Sequence, residues 1–488
     1  MARDRVFDGL RAVLVVDVFR TIAEGLLILL LTRFLLAPDE YGLLYLALSI
    51  LAIVLLFAQL GFAKSGARYV AEYREADPGQ VPHIVRRTLR YVLVTATAVS
   101  IALVLSAESI ARIVGEPAVA GLLVIGAGYV LGQSVSTFAG LGFQGFNRVT
   151  MTAILRLIGA VGKPVFVVGF VLLGLGTAGA MLGFVVSSIV AAVVGLVIMF
   201  RVVLSSYAPA PNAESGLSRR ILEYSIPLTA TKGANVLDKR IDIVLVGYFL
   251  SPAAVGFYTL GKQVAEFVMA PASALGFTVS PSYGERKASD NLESASRIYS
   301  ETLEHTLLLY VPAAAGIVLV ADPAVPLVFG VDYAGAVPVL QILAGFVVLQ
   351  AITNVTSDGL DYLGRARERA IAKGVTSTGN FLLNIALIPA FGVVGAAWAT
   401  VATHSVYVFV NVYVIHRELS LPVRRLSRTI GGICLVTVGM IAVLVLTLPM
   451  VSGLLSLTAV IALGVVVWAV AAVLGGLVDP HRVLNQLI

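Results

Sequence analysis

Charge is scarce in this sequence: 13% of its 488 residues are Asp, Glu, Lys or Arg, while 58% belong to the AVILMFWYC set. A soluble domain carries about 25% charged residues, so a soluble enzyme is excluded at the outset. Long polar stretches are missing as well. Apolar runs of about 20 residues succeed one another from residue 12 to residue 477, and fourteen spans of about 21 residues leave roughly 13 residues for each loop or end. No loop can therefore house a soluble catalytic domain, and no enzymatic activity is expected. There is one cysteine, Cys434, inside an apolar run; it forms no intrachain disulfide and is expected to pack. The five histidines, His83, His305, His404, His416 and His481, show no ligand spacing, and no Cys or carboxylate cluster adds a metal set. A nucleotide motif is lacking too. Gly140-Leu-Gly-Phe-Gln-Gly145 fits the glycine spacing of a dinucleotide fingerprint, but it ends an apolar run with no strand before it. No cofactor and no metal are expected. The net charge of +6 does not signal nucleic acid, because the basic residues flank apolar spans instead of forming a water-exposed face.

What is present is an all-α integral membrane pattern. Spans are expected near 12–36, 41–63, 90–107, 118–140, 151–174, 178–200, 222–249, 253–280, 302–321, 336–358, 370–391, 393–415, 429–449 and 453–477. The first is too long for a signal-peptide core and carries Asp17, Arg20 and Glu24. Of the 34 Lys and Arg residues, about 25 fall on one alternate set of loops. Arg3, Lys64, Arg86, Arg148, Arg219, Lys287, Arg365 and Arg424 are among them. The other set holds Arg112. Since Lys and Arg near span ends resist translocation, both termini are expected in the cytoplasm of a multi-pass plasma-membrane protein, with an even span count.

A repeat is readable at an offset of about 214: Leu36, Pro38, Gly42 and Leu46 reappear as Leu250, Pro252, Gly256 and Leu260. At an offset of 216, Gly176-Thr-Ala-Gly-Ala matches Gly392-Val-Val-Gly-Ala. Six spans separate the copies, so both enter the membrane in the same sense, as parallel-topology repeats do. The expected architecture is a six-helix lobe at 1–220, a second at 221–428, and two additional helices with a short cytoplasmic tail at 429–488. From Thr429 to Val478 no Asp, Glu, Lys, Arg or His occurs, which points these two helices at lipid.

These residues resemble the polysaccharide transporter, or oligosaccharide flippase (Wzx-like), family of the multidrug/oligosaccharidyl-lipid/polysaccharide superfamily. The resemblance rests on Arg33 through Gly42 leading to Arg68-Tyr-Val-Ala-Glu-Tyr73, on Glu223-Tyr-Ser-Ile-Pro-Leu228, on Asp242 before Gly247 through Tyr258, on Pro281, and on Phe391-Gly-Val-Val-Gly-Ala-Ala397. It implies a transporter that carries lipid-linked oligosaccharide from the cytoplasmic to the outer leaflet by alternating access, for assembly of a surface polysaccharide or glycoprotein glycan. Membrane lipid, a coupling cation (proton or sodium) and a monomeric state belong to the same expectation. The physics agrees: a phosphate-linked sugar cannot cross about 30 Å of hydrocarbon without a polar, cationic path.

Ionisable residues inside spans are costly and face such interiors. Asp17, Arg20 and Glu24 share one helical stripe and can pair with each other, so Arg20 is either a phosphate contact or a structural ion pair. In the seventh span Lys232, Asn235, Asp238, Lys239 and Asp242 fall within about a 120° arc, with Arg240 turned away. Lys262 and Glu266 are an i, i+4 pair in the eighth, and Glu24 and Asp238 are equivalent under the 214 offset. Arg156 and Lys163 share a face in the fifth span; Arg156 is near enough to the loop to snorkel, which leaves Lys163 as the stronger site candidate. Gln341, Gln350, Asn354, Asp358, Asn380 and Asn384 fit interhelical hydrogen bonding better than sugar contact. The cleft candidates are thus Arg20, Glu24, Lys163, Lys232, Asn235, Asp238, Lys239, Asp242, Lys262 and Glu266. Two other functions compete. A cation-coupled multidrug antiporter needs a cleft that is mainly apolar or acidic. A membrane-embedded glycan polymerase needs a large outer loop with catalytic residues, whereas the longest expected one, about 322–335, is short and mostly apolar.

Overall fold

The computed structural model describes residues 2–269, 283, 285–287, 289 and 291–477, with side chains from residue 15 onward and apart from residues 230 and 231. The second half of the eighth expected span, Pro281, Arg482 and the side chains of Arg3, Arg5 and Arg11 lie outside the described residues. Fifteen α-helices and no strand occur among the described residues. They are α1 (Ala2–Leu30), α2 (Pro38–Gln59), α3 (Phe62–Ala76), α4 (Val81–Val114), α5 (Ala118–Gly145), α6 (Val149–Phe170), α7 (Gly176–Ile198), α8 (Leu217–Phe249) and α9 (Pro252–Val268). There follow α10 (Leu292–Phe329), α11 (Val337–Tyr362), α12 (Ala366–Phe391), α13 (Val393–Leu419), α14 (Val423–Thr447) and α15 (Leu454–Leu474).

Ten helical stretches among the described residues are long and apolar enough to cross a membrane, one of them, Val149–Ser206, holding both α6 and α7. Each of the other expected spans has its helix, α1, α8 and α9. The first two carry several charges within the span, and α9 is 17 residues long as described. Two details depart from the sequence expectation. The stretch 322–335 is not an open loop: α10 runs to Phe329 and a 3-10 turn covers Val331–Ala336. Cys434 is exposed on α14 and does not pack.

The chain divides into two compact units, 1–256 and 257–488. In the first, α5 packs on α2, α3, α4 and α7, α6 on α7, and α8 on α2, α3 and α4. Helix α1 is held chiefly by α6. In the second, α11 lies against α10 and α13, α12 against α13, and α14 and α15 against each other and α10. Met440, Leu444 and Val460 form the small core of that pair with α10, while Leu446 and Leu455 are 77% and 88% exposed, as lipid contact requires.

The repeat is written in the backbone. Helix α5 ends at Phe146 with φ −79°, ψ 0° and α11 at Leu363 with φ −80°, ψ 0°. The next residues, Asn147 and Gly364, are left-handed at φ 57° and 77°. Arg148 N–H then donates to Phe143 O and Arg365 N–H to Leu360 O, each at 2.8 Å. These pairs fix an offset of 217 through α5/α11 and α6/α12. At Gly176 (φ 50°, ψ −136°) and Gly392 (φ 63°, ψ −146°) the offset is 216. The extra residue of the first copy is taken up by the π-type turn Val171–Leu175, since a single insertion in a helix is accommodated as a π-bulge. A side chain fits neither glycine's backbone without strain.

Pro38 and Pro252 open α2 and α9 at the position where a missing N–H costs nothing. These helix starts cross so closely that a Cβ on Gly42 would be driven into the Pro252 carbonyl, and a Cβ on Gly256 into the Pro38 carbonyl. The contact is reciprocal between repeat-equivalent residues, all within residues 38–256.

On the face that carries the basic loops, α3 is an amphipathic helix whose buried side includes Phe62, Tyr69, Val70 and Tyr73. The segment leading into α8 is clamped to it. Tyr73 OH donates to Glu214, Arg220 Nη2 donates to Glu214 Oε1 at 2.6 Å, and Ser65 Oγ donates to Ile221 O at 2.9 Å. Gln80 accepts from Glu214 N–H at 2.9 Å and donates to Asn212 O at 3.0 Å. The Tyr73 hydrogen bond, then Arg220, hold the Glu214 carboxyl below its ordinary range.

Gly42→Ala or Gly256→Ala should lower the thermal midpoint, overpacking costing about 1–3 kcal/mol, whereas Gly439→Ala, where an added Cβ meets nothing within 4 Å, should be neutral or slightly stabilising. For the clamp, a carboxyl whose folded pKa is depressed contributes stability above its unfolded value and loses it as pH falls through the folded value. The thermal-stability gap between wild type and Glu214→Gln should therefore be present at pH 7 and close below about pH 4.3. Tyr73→Phe should move that closure to higher pH.

Candidate functional site

Helix α1 meets the rest of the first unit through charges. Arg156 Nη1 on α6 donates to both Asp17 carboxylate oxygens at 3.2 Å. Asp17 also lies 3.6 Å from Arg20 Nε, Arg20 Nη1 lies 3.7 Å from Glu24, and Glu24 lies 3.6 Å from Lys163 Nζ on α6. The sequence Arg156–Asp17–Arg20–Glu24–Lys163 is thus an alternating chain of three cations and two anions. Its side chains are 31–47% exposed. The stripe Asp17, Arg20, Glu24 forms because i, i+3 and i+7 lie on one helix face. Lys163 and Arg156, seven residues apart, present the matching face of α6.

This chain borders a cavity of about 360 Å³ between α1, α5, α6 and α7. Arg20, Glu24, Arg156 and Lys163 supply its charges, and α5 supplies Tyr129, Gln133, Ser136, Thr137, Gly140 and Gln144. Lys163 Nζ is also 5.7 Å from the Phe184 ring centroid, and Tyr129 meets Phe184 edge-on at 6.3 Å. A second polar line reaches the same wall from α8. Lys232 Nζ donates to Gln59 Oε1 at the end of α2, Gln59 Nε2 donates to Thr137 Oγ1 at 3.3 Å, and Gln133 Nε2 to the same oxygen at 3.5 Å.

Of the sequence-based candidates, the structure thus brings Arg20, Glu24 and Lys163 together, joins them to Asp17 and Arg156, and connects Lys232 to the cavity wall. Arg156 is an ion-pair partner of Asp17 and not merely a snorkelling residue. Further along α8, Asn235 and Lys239 are exposed and Asp238 is half-buried. Asp242 is 2% exposed and accepts the Ile243 N–H at 2.8 Å. In the second unit Lys262 Nζ lies 5.8 Å from the Tyr258 ring, Tyr258 OH bonds Thr400 Oγ1 at 3.2 Å, and Glu266 is exposed. Of the amides of α11 and α12, Gln341 donates to Val318 O at 3.1 Å and Asn380 to Thr403 Oγ1 at 3.2 Å across helices, whereas Gln350 donates to Asn354 and Asn384 to Asn380 within their own helices. Among the described residues no cluster of three His, Cys, Asp or Glu could hold a metal.

Sequence reasoning missed the amide wall. Tyr129, Gln133, Ser136, Gly140 and Gln144 recur at three- to four-residue spacing along α5, a polar stripe in an apolar helix that periodicity could have revealed.

Fold and site together define a multi-pass helical membrane protein with a charged cavity among the helices of its first repeat. The chain belongs to the polysaccharide biosynthesis protein family, whose profile matches residues 30–338. It is similar to the probable low-salt glycan biosynthesis flippase Agl15 of Haloferax volcanii, 26% identical over 204 residues, 42% of this chain and 43% of that protein. It is also similar to the probable flippase AglR of the same organism, 27% identical over 292 residues, 57% of this chain and 58% of that one. The match spans about half the length of these relatives. Among solved structures, lipid II flippase MurJ in an inward closed conformation superposes with a TM-score of 0.78 at 14% identity, covering 94% of this chain and 97% of that one. An inward-facing multidrug resistance MATE family transporter of the MOP superfamily gives 0.66 at 16% identity, covering 84% and 95%. At these identities the likeness is one of fold.

The ion chain generates its own test. Asp17→Asn leaves Arg156 and Arg20 without the anion between them and should lower the thermal midpoint, and adding Arg156→Gln should recover part of the loss. In a double-mutant cycle the coupling should reach at most about 1 kcal/mol, because both side chains are partly solvated.

Proposed function

We propose that this chain is a flippase that moves a lipid-linked oligosaccharide, on a polyprenyl or dolichyl phosphate or pyrophosphate carrier, from the cytoplasmic to the outer leaflet by alternating access. The observation that carries the proposal is the excess cation in the chain Arg156–Asp17–Arg20–Glu24–Lys163, beside a polar cavity inside an otherwise apolar helical protein. A phosphate group must shed water to enter a bilayer, and Arg20, Lys163 and Lys232 offer it replacement donors while the lipid tail stays in hydrocarbon. Glu24 limits repulsion between the cations when the site is empty. Asn235, Asp238, Lys239 and Asp242 on α8 are further candidate contacts within the first unit, and Lys262 and Glu266 are candidates within the second. Membership of a polysaccharide biosynthesis family and the names of the two Haloferax relatives support the same substrate class. A MATE-type drug antiporter shares the fold, but the net positive charge of the chain suits an anionic substrate better. The protein acts without catalysis, as a monomer in the plasma membrane with both termini cytoplasmic, and protons or sodium bias the cycle.

Deletion of the gene should cause a lipid-linked oligosaccharide to accumulate on the cytoplasmic leaflet. Lys163→Ala, Arg20→Ala and Lys232→Ala should each reduce glycan export at least tenfold while leaving expression and thermal stability nearly intact. Lys163→Ala or Arg20→Ala variants that are instead poorly folded and that are rescued by Glu24→Gln would assign those charges to structure alone. For sidedness, in a Cys434→Ala background a cysteine at Asp332 should react with an impermeant maleimide in intact cells and one at Arg220 only after permeabilisation.

A further inference from the structure

The two repeats treat equivalent positions in opposite ways. In the first, the wall of the cavity is built from small residues: Gly140 on α5 and Gly159 on α6 are sites where an added Cβ meets nothing within 4 Å, and Ser188 and Ala191 line the cavity from α7. At the offsets of 217 and 216 established above, Gly140 corresponds to Ser357, Ser136 to Thr353, Ser188 to His404 and Ala191 to Tyr407. In the second repeat these side chains meet. Tyr407 OH bonds Ser357 Oγ at 3.4 Å, and His404 Nε2 bonds Thr353 Oγ1 at 3.0 Å with the Phe346 ring 4.9 Å away. Two hydrogen bonds between α11 and α13 cross the space whose counterpart in the first repeat is the open cavity.

We infer that the first-repeat cavity is a subsite for one sugar ring together with the phosphate that links it to the lipid, kept open by Gly140, Gly159 and Ala191. The inference rests on the flippase reading and sharpens it. The cavity, at about 360 Å³, sits at the low end of the roughly 300–1,000 Å³ of small-molecule sites, which suits a single phosphorylated pyranose and leaves the rest of the glycan outside. Its donors divide by chemistry. Arg20 and Lys163 face Glu24 at 3.7 and 3.6 Å, well beyond the roughly 2.7–2.9 Å of a tight charge-assisted bond, so a phosphate oxygen can compete for them. Gln133, Thr137 and Gln144 on α5 offer amide and hydroxyl groups to the sugar hydroxyls.

The test uses the full chain in lipid nanodiscs, titrated calorimetrically with the 1-phosphates of glucose, galactose, mannose and N-acetylglucosamine, with inorganic phosphate and with free glucose. At least one sugar phosphate should bind tenfold or more tightly than both inorganic phosphate and glucose. Gly159→Leu and Ala191→Tyr, which fill the cavity without touching a charge, should each weaken that binding at least tenfold with an unchanged thermal midpoint, and Gly439→Leu on α14 should not. Should Ala191→Tyr fail to fold, Gly159→Leu decides. Sugar phosphates that bind no better than inorganic phosphate, or undiminished binding in the filled variants, would overturn the subsite. Export measured in the deletion strain and in Lys163→Ala separates the two proposals. Sugar-phosphate binding that filling abolishes, in a protein whose deletion leaves glycan export unchanged, would sink the flippase reading and keep the subsite, whereas export lost in Lys163→Ala with binding indifferent to filling would do the reverse.

Discussion

A charge in the middle of a membrane helix costs roughly 2.5–3.5 kcal/mol on insertion scales, and the first repeat of this protein gathers five charged side chains of α1 and α6 within reach of one another. Everything around them answers that constraint. Helix α1 presents Asp17, Arg20 and Glu24 on one stripe, α6 returns Arg156 and Lys163 on the facing one, and the signs alternate along the line of contact. Helix α1 buries Ala23 and Leu27 at 8% and 2% exposure and leaves Val15, Val18 and Ile22 59–69% exposed, and the charged stripe that meets α6 adds to this small apolar contact. The fold thereby keeps its most expensive residues together, half-solvated, beside a cavity, rather than dispersing them as isolated buried pairs.

Such an arrangement needs space, and the space comes from small residues. Close helix approach at Gly42 and Gly256, and at Gly145 against Ala67, is what small residues at membrane-helix interfaces allow. Glycines that meet no neighbour serve the opposite purpose: Gly140 and Gly159 leave volume unfilled. One residue type thus does two jobs, and only the surroundings tell them apart. That distinction is invisible in composition, where all 46 glycines count alike.

Much of the architecture was legible because bilayer physics is restrictive. Spans must be long, apolar and helical, so fourteen could be placed from hydropathy, and the Pro38/Gly42 and Pro252/Gly256 matches exposed the repeat. Helix α3 escaped notice because its 15 residues, rich in Arg, Lys and Glu, are too short and too polar for a hydropathy window. Its apolar side, Phe62, Tyr69, Val70 and Tyr73, follows helical spacing and would have been found by looking for amphipathy instead of span length. Within the site, Arg20 with Glu24 and Lys163 could be named from intramembrane cost alone. Their pairing across α1 and α6 could not, because nothing in the sequence states which helices are neighbours. The amide wall on α5 was missed for a related reason: Gln133 and Gln144 are uncharged and tolerated in many helices, so their cost raises no signal until a cavity is seen beside them.

The repeat also explains why one duplicated scaffold can hold unlike interiors. Offsets of 217 and 216 preserve the left-handed residues Asn147 and Gly364 and the matched turns at Gly176 and Gly392, which set helix direction. Side chains at the same positions are free to diverge, since a helix start is fixed by its turn and not by what faces the neighbouring helix. Arg156 and Lys163 become Lys373 and Asn380, and Ser188 and Ala191 become His404 and Tyr407. In the second repeat Asn380 donates to Thr403 across α12 and α13, Asn384 donates to Asn380 within α12, and Lys373 Nζ lies 5.2 Å from the Tyr407 ring of α13. Three cations against two anions leave the α1–α6 line of the first repeat with an excess of positive charge.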